Sequence, residues 1–286
     1  MVDDQFERIG INLSPETPAP PAMSASGITR RDDGPVAVLV IDRPQVRNAI
    51  DTATMAALEA AVRGIAVEPE VRVIVITGAG DVAFSAGGDM REMQGMTPLG
   101  ADQVMAVWQT GLDAIERSPK PVIAAVNGFA YGGGTELALA CHIRVASSTA
   151  RFGQTEIAHD HIPGGGGTQR LPRIIPLGLA YEHLLLGDPI SAEQALAWGL
   201  VNHVWAPSAL MDETLALARR IAARAPVAVR YTLDAVREGL AMPLSGGLRL
   251  ERALASLVLE SGAAHDGFEA FFGRRGGSRR DDQTGD

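Results

Sequence analysis

The sequence predicts an α/β domain followed by a helical region, and three observations support this. Short apolar runs rich in β-branched residues, typical of strands buried on both faces, recur along the first part of the chain. Segments with apolar residues at helical spacing lie between these runs. After about residue 205 the periodic segments are all helical. We therefore expect an α/β fold up to about residue 205 and helices afterwards.

Five strands are expected from the apolar runs. The run at 36–41 contains only apolar residues, as a strand covered on both faces does. A second strand is expected at 71–77, where Gly78 ends it. Further strands are expected at 121–126, 143–146 and 200–204.

Helices are predicted from apolar residues that recur every three or four positions. Met55, Leu58 and Val62 recur in this way between residues 52 and 65, and Asp51 is placed to cap that helix. The same criteria predict further helices at 102–117, 133–142, 179–186, 192–198, 209–223, 227–238 and 248–259.

Composition divides the chain into four segments. Residues 1–27 include a stretch rich in Pro, Ala and Ser, and residues 274–286 are mostly Gly, Arg and Asp, so both ends are predicted to be disordered. Between them we expect an α/β core at 28–205 and a helical C-terminal region at 206–273.

Charge and cysteine content restrict the partners. The 286 residues carry a formal net charge of −9, which argues against a nucleic-acid partner. Cys141 is alone, so no intrachain disulfide can form. No apolar stretch approaches the ~20 residues of a membrane span, and no secretory signal is visible. We expect a cytoplasmic protein without a membrane partner. None of the His or Cys spacings forms a convincing metal site.

Two glutamates follow closely on glycine-rich backbone. Glu136 closes the run YGGGTE at 131–136, and Glu156 lies just before the glycines at 164–167. Glycine lets a small molecule reach its N–H directly, and a free N–H at a helix start is a donor for developing negative charge. Carboxylates beside such donors indicate proton transfer next to an oxyanion. Taken singly, each glutamate has an alternative: Glu136 as an acid in the first turn of a helix, Glu156 as a loop carboxylate.

Two glycine-rich motifs are predicted not to bind nucleotides. Residues 78–83 spell G-x-G-x-x-A after a strand, but a dinucleotide motif must open a helix, and another turn follows at 84–88. Residues 164–168 lack the lysine of a phosphate-binding loop. Gly88 lies in a tight turn, where its N–H either faces a cleft or belongs to a plain turn capped by Asp89.

Four segments, at 43–49, 84–93, 127–138 and 152–171, together resemble the enoyl-CoA hydratase (crotonase) superfamily. They occur in the family's order, and the resemblance runs from roughly Gly34 to Arg274. It implies a crotonase-like fold, a spiral of ββα units with a helical C-terminal oligomerisation region. It also implies a homo-trimer or hexamer.

The resemblance implies roles for four residues. Gly88 and Gly133 match the two residues whose N–H groups form the family's oxyanion hole around a thioester carbonyl. Glu136 and Glu156 match the two carboxylates of the hydratase branch. The implied reaction is addition of water to a trans-2-enoyl-CoA, giving a 3-hydroxyacyl-CoA. Its acyl-CoA thioester substrate contains the coenzyme A, so no separate cofactor is expected.

The two glutamates divide the proton transfers in this interpretation. Glu136 is expected to activate the water and Glu156 to protonate C2, although both contact one water and the roles could be shared. Arg47 and Arg91 are candidates for the phosphates of coenzyme A. The other expected substrate-binding residues are Gln45, Val46, Ala86, Gly87, Asp89 and Met90.

The sequence does not determine the acyl group of the substrate. Residues 93–99 and the following helix with Trp108 are expected to shape its pocket. His159 and His161, with Asp160 in a left-handed turn between them, either face solvent and the pocket wall or read a polar or ring-shaped acyl group. The alternatives are a double-bond isomerase, a decarboxylase, a hydratase of a cyclic enoyl-CoA, or a non-catalytic, RNA-binding relative.

Overall fold

The structure is a computed structural model that describes residues 27–262 together with 264, 265 and 268. The segments predicted to be disordered, 1–27 and 274–286, lie outside these residues except for Gly27, whose carbonyl accepts a hydrogen bond from Asp42 N–H at 2.8 Å. The division into four segments stays a prediction.

A six-stranded sheet forms the centre of the fold. Its strands are β1 (Ile28–Asp33), β2 (Val36–Ile41), β3 (Val73–Gly78), β5 (Val122–Val126), β7 (Ile143–Ser147) and β10 (His203–Trp205), in the order β1-β2-β3-β5-β7-β10. The first pair is antiparallel and the others are parallel. Strands β3 and β5 are buried throughout because helices cover both faces. The strand predicted at 200–204 begins later, at His203.

A second, four-stranded sheet lies beside the first. It consists of β4 (Ala83–Ser85), β6 (Phe129–Tyr131), β8 (Arg151–Gly153) and β9 (Ile190–Ser191), in that order. Each of β4, β6 and β8 follows a long strand of the first sheet along the chain, and helical structure comes next, so the repeat is a ββα unit. Strands of two or three residues are too short to show a periodicity, and none of these four was predicted.

Ten α-helices lie between residues 52 and 260. They are α1 (Thr52–Ala66), α2 (Met90–Met93), α3 (Pro98–Glu116), α4 (Gly133–Ala140), α5 (Gly167–Ile174), α6 (Leu177–Leu186), α7 (Ala192–Ala197), α8 (Leu210–Ala222), α9 (Pro226–Leu240) and α10 (Leu244–Glu260). Two 3-10 helices lie at Pro44–Val46 and Thr155–His159.

Local signals explain where the helices start. The Asp51 side chain accepts a hydrogen bond from Thr54 N–H at 2.8 Å and caps α1, as predicted. Helix α3 begins before the predicted residue 102, because Thr97 caps it and Pro98 occupies its first turn. Helix α5 was not predicted, since glycines precede it and Pro172 lies inside it.

The core lies on both faces of the long sheet. On β2, Val36 and Val38 pack with Leu210 of α8, whereas Leu39 faces the larger cluster that includes Leu58 of α1. Helices α9 and α10 pack on each other, and neither buries a single residue. The α/β class with a helical C-terminal region is confirmed. Among the described residues no helix is long and apolar enough to cross a membrane.

Candidate active site

Glu136 is buried in the first turn of α4. Gly132 precedes this helix at φ 50° and ψ −122°, a backbone conformation that favours glycine. All eight residues of α4 are buried, and Glu136 is only 3% exposed. A buried carboxylate needs hydrogen-bond donors, and Gly167 N–H supplies one to Oε1 at 2.8 Å.

Opposing effects act on the Glu136 carboxyl. Burial raises its pKa, while the amides of residues 165–167 and the positive charge of Arg170 act in the opposite direction. The approach of the backbone requires glycine, because a β-carbon on Gly165 would lie 2.5 Å from Oε2.

The Glu156 side chain lies close to the turn that leads into α4, the helix that carries Glu136. It lies in the 3-10 helix after β8, and its Oε1 is 3.0 Å from the place of a β-carbon on Gly132, the residue that starts the turn into α4. Burial, and next the negative charge of Glu136, raise the pKa of Glu156 to about 7. The buried Gln154 amide is satisfied when its nitrogen donates to the two carboxylate oxygens at 3.3 and 3.2 Å. The two predicted glutamates are therefore brought together.

The amides of Gly88 and Gly133 are also neighbours. Gly88 N lies 3.3 Å from the place of a β-carbon on Gly133, and Gly133 N lies 3.2 Å from that of Gly87. In a parallel bridge, Ile50 N–H donates to Gly87 O and Ile50 O accepts from Asp89 N–H, so Gly88 N–H faces away from Ile50. Within residues 27–262, neither Gly88 N–H nor Gly133 N–H has an acceptor.

Trp108 of α3 lies against both glycines. Its side chain is buried, with Cζ2 3.6 Å from the place of a β-carbon on Gly88 and Cη2 2.6 Å from that on Gly133. The indole therefore forms a wall beside the two free amides, and it leaves no room for a side chain at Gly133.

The residues expected to bind coenzyme A lie next to these amides. Ala86 N–H donates to Arg47 O at 3.0 Å, which joins the segments 45–47 and 86–91. The Arg47 guanidinium has no acceptor in the described part of the chain, whereas Asp89 binds the exposed Arg91 at 2.8 and 2.6 Å. Arg47 is thus the better placed of the two for a phosphate. The remaining expected residues lie in the same two segments: Gln45, Val46, Gly87 and Met90.

The 3-10 helix that carries Glu156 ends in an exposed turn. His159 and His161 are exposed, and Asp160 has a left-handed φ of 56°, as predicted. His161 and Ile162 line an apolar cavity of about 260 Å³ with Tyr181. The His161 imidazole bonds to Ile162 O through Nδ1 at 2.6 Å, and within the described residues neither imidazole has a hydrogen bond to the Glu156 carboxylate. The solvent and pocket-wall interpretation therefore fits both.

Residues 78–83 lack the helix that a dinucleotide-binding motif must open. Gly78 ends β3 and Ala83 begins β4, so no helix follows the motif. Among the described residues, no group of three or more His, Cys, Asp or Glu side chains could hold a metal ion.

Sequence reasoning missed three parts of the site. The amides of the glycine loop at 164–167 bind Glu136, Gln154 contacts Glu156, and Arg170 contacts the glycine loop. The glycine run was visible in the sequence, but nothing in its spacing indicated that it folds back onto a residue 31 positions earlier.

Comparisons with known proteins find matches over most of the chain. Residues 31–278 match the family described as Enoyl-CoA hydratase/isomerase. The chain is 38% identical over 253 residues to the crotonyl-CoA hydratase of Syntrophomonas wolfei, covering 88% of this chain and 97% of that protein. It is 40% identical over 240 residues to the (E)-benzylidenesuccinyl-CoA hydratase of Thauera aromatica, covering 84% and 93%. Its structure is similar to that of an enoyl-CoA hydratase from Bacillus anthracis, with a TM-score of 0.84 and 36% identity over 87% of this chain and 96% of that one.

The chain therefore belongs to the enoyl-CoA hydratase/isomerase family, in its hydratase branch. It is an enoyl-CoA hydratase and hence a lyase. The crotonase-like fold that the sequence resemblance implied is confirmed.

Proposed function

We propose that Glu136 and Glu156 add water across the 2,3-double bond of a trans-2-enoyl-CoA whose thioester oxygen accepts hydrogen bonds from Gly88 and Gly133. The observation that supports this most is the convergence of both carboxylates and both free amides around Gly132 and Gly133. Negative charge moves onto the thioester oxygen as water attacks C3. A well-placed donor stabilises such an oxyanion by about 3–4 kcal/mol.

The environments of the two acids favour different roles. Burial raises the pKa of Glu136 on balance, but the hydrogen bond from Gly167 N–H and the charge of Arg170 stabilise its carboxylate form. In this proposal that carboxylate takes a proton from water as the oxygen bonds to C3. Glu156, with its pKa raised to about 7, carries a proton and delivers it to C2. The proton on Glu136 then replaces the one lost by Glu156, and the product is the 3-hydroxyacyl-CoA. The step needs no cofactor, since coenzyme A is part of the substrate.

Coenzyme A enters in this proposal along the segments 45–47 and 86–91. Arg47 binds a phosphate, because its guanidinium is unpaired within the described chain and the turn that carries it touches the backbone next to Gly88. Arg91 is the weaker candidate for a phosphate, since its guanidinium already donates to both oxygens of Asp89. The single Cys141, buried and free, fits a cytoplasmic enzyme.

The assembly is proposed to be a homo-trimer, or two trimers in a hexamer. Helices α9 and α10 bury none of their residues and expose large apolar side chains, among them Val236, Leu240, Leu244 and Leu248. A second copy would remove this surface from water. Sedimentation of the wild type should give a trimer or hexamer, and Leu248→Asp should shift it towards the monomer. A monomeric wild type would contradict the assembly.

Turnover of crotonyl-CoA tests the reaction. The purified chain should cause loss of the conjugated absorbance, with formation of 3-hydroxybutyryl-CoA. A second assay uses an aryl-substituted enoyl-CoA and distinguishes a small acyl pocket from a wide one. Its result shows which of the two relatives, the crotonyl-CoA hydratase or the (E)-benzylidenesuccinyl-CoA hydratase, this chain resembles in acyl group. Loss of absorbance in neither assay, with turnover of a 3-enoyl-CoA instead, would favour the isomerase.

A further inference from the structure

The loop that holds Glu136 is itself held by a side chain outside the reacting groups. Residues 164–167 are four consecutive glycines. Glycine loses more conformational freedom on folding than any other residue, so such a stretch does not fix its own amides. Gly167 N–H nevertheless donates to Glu136 at 2.8 Å. Neighbouring groups must therefore set the position of the loop.

Helix α3 supplies these neighbours along one face. Gln109, Asp113 and Glu116 follow one another at four and three residues, which places them on the same side of a helix. Gln109 Nε2 donates to Gly164 O at 2.9 Å. The two acids bind Arg170 and not the loop. The Nε and Nη2 atoms of Arg170 donate to Glu116 at 3.0 and 2.7 Å, and Nη2 also donates to Asp113 at 3.3 Å.

Arg170 connects these acids to the loop. Its Nη1 donates to Gly165 O at 2.8 Å, and its side chain is 15% exposed. The guanidinium lies over Gly166, where a β-carbon would collide with Nη1 and where φ is 109°. A single cation therefore fixes a carbonyl of the glycine loop while two acids fix the cation.

We propose that Arg170 is a positioning residue for Glu136. Anchored on α3, it holds the glycine loop so that the loop amides bind and orient the carboxylate. The role of Glu136 in turnover rests on the proposed function, whereas the contacts of Arg170 do not. The charged groups that face Glu136 are Glu156 and Arg170, and the acids of α3 reach it only through Arg170.

The kinetic test compares Arg170→Gln with Arg173→Gln, an exposed arginine one turn along the same helix. Misplacing a reacting group by about 1 Å costs up to ~10²-fold in rate, so kcat should fall ~10–100-fold in Arg170→Gln while KM stays within about threefold. The acid limb of kcat should move to higher pH, because the base must be ionised and losing a nearby cation raises its pKa. Arg170→Lys keeps the positive charge, so the acid limb of its kcat profile should stay at the wild-type pH while kcat itself falls. Arg173→Gln should match the wild type.

A second readout needs no turnover. The infrared carboxyl band that disappears in Glu136→Gln reports the titration of Glu136, and its midpoint should rise in Arg170→Gln alone. If the wild type is inactive but the midpoint of Glu136 rises in Arg170→Gln, the proposed function is overturned and this role of Arg170 is supported. Normal midpoints and kcat in Arg170→Gln would overturn the role of Arg170. If Arg170→Gln does not fold, Arg170→Lys is compared with Arg173→Lys instead. Equal kcat values in these two variants would overturn the positioning role of Arg170.

Discussion

Helices α4 and α10 show opposite relations between side-chain character and burial. Helix α4 is buried at all eight of its positions, including the carboxylate of Glu136. Helix α10 has 17 residues and buries none, although it carries several leucines. A buried charge and exposed leucines both run against the hydrophobic effect within one chain. In the proposed function these are the two places where the molecule meets something else, a substrate at α4 and a second copy at α10.

The largest expected effect is on turnover when the acid in α4 is made neutral. Glu136→Gln should lower kcat by ~10²–10⁴-fold with coenzyme A affinity nearly intact, since general acid–base catalysis contributes this much. Glu156→Gln should lower it by at least ~10²-fold. Steady-state kinetics measure both.

The matched control for this pair is Glu251→Gln in α10, where the carboxylate is exposed. It should turn over at the wild-type rate. If the α4 variant fails to fold, Glu136 has the structural role of an acid at a helix start, and the contrast between the helices loses its functional meaning.

The next effect is on stability and depends on pH. The pKa of Glu156 is raised from 4.5 to about 7, so the folded protein binds this proton more tightly than the unfolded chain. The stabilisation is fully present below about pH 4.5 and is lost as the pH rises through about 7, a change of roughly 3 kcal/mol in the free energy of unfolding. Above that pH, Glu156→Gln should be more stable than the wild type. Urea titrations at pH 5 and 8 measure this, and equal wild-type and variant midpoints at pH 8 would refute it.

A smaller effect is expected from a methyl group added within α4. A β-carbon on Gly134 would lie 2.5 Å from the backbone oxygen of Ser85, so Gly134→Ala forces α4 away from β4. Overpacking of this kind destabilises by about 1–3 kcal/mol. The urea midpoint should fall, and activity should fall with it because Gly133 moves.

The same change in α9 should have the smallest effect and the opposite sign. A β-carbon on Gly239 meets only Gly247 Cα, at an ordinary 3.8 Å. Gly239→Ala inside this helix should stabilise by about 0.5–1 kcal/mol. A lower urea midpoint would mean that a neighbouring copy fills that space, and α9 would then be as tightly packed as α4.

Much of the fold followed from local signals. The strand at 36–41 was predicted to the residue because its apolar run leaves no alternative, and the Asp51 cap lies where it was expected. Strands β4, β6 and β8 were missed because pairing between distant segments, rather than local preference, makes three residues a strand.

By itself the sequence determined the α/β class, the family, and the identity of the acids and glycines that make up the candidate site. Each of these is carried by residue type and order along the chain. Only the tertiary structure decided that Gly167 binds Glu136, that Arg170 joins α3 to the glycine loop, and that Asp89 occupies Arg91. Such contacts join residues far apart in sequence or choose among several possible partners, and they depend on how the helices and sheets pack.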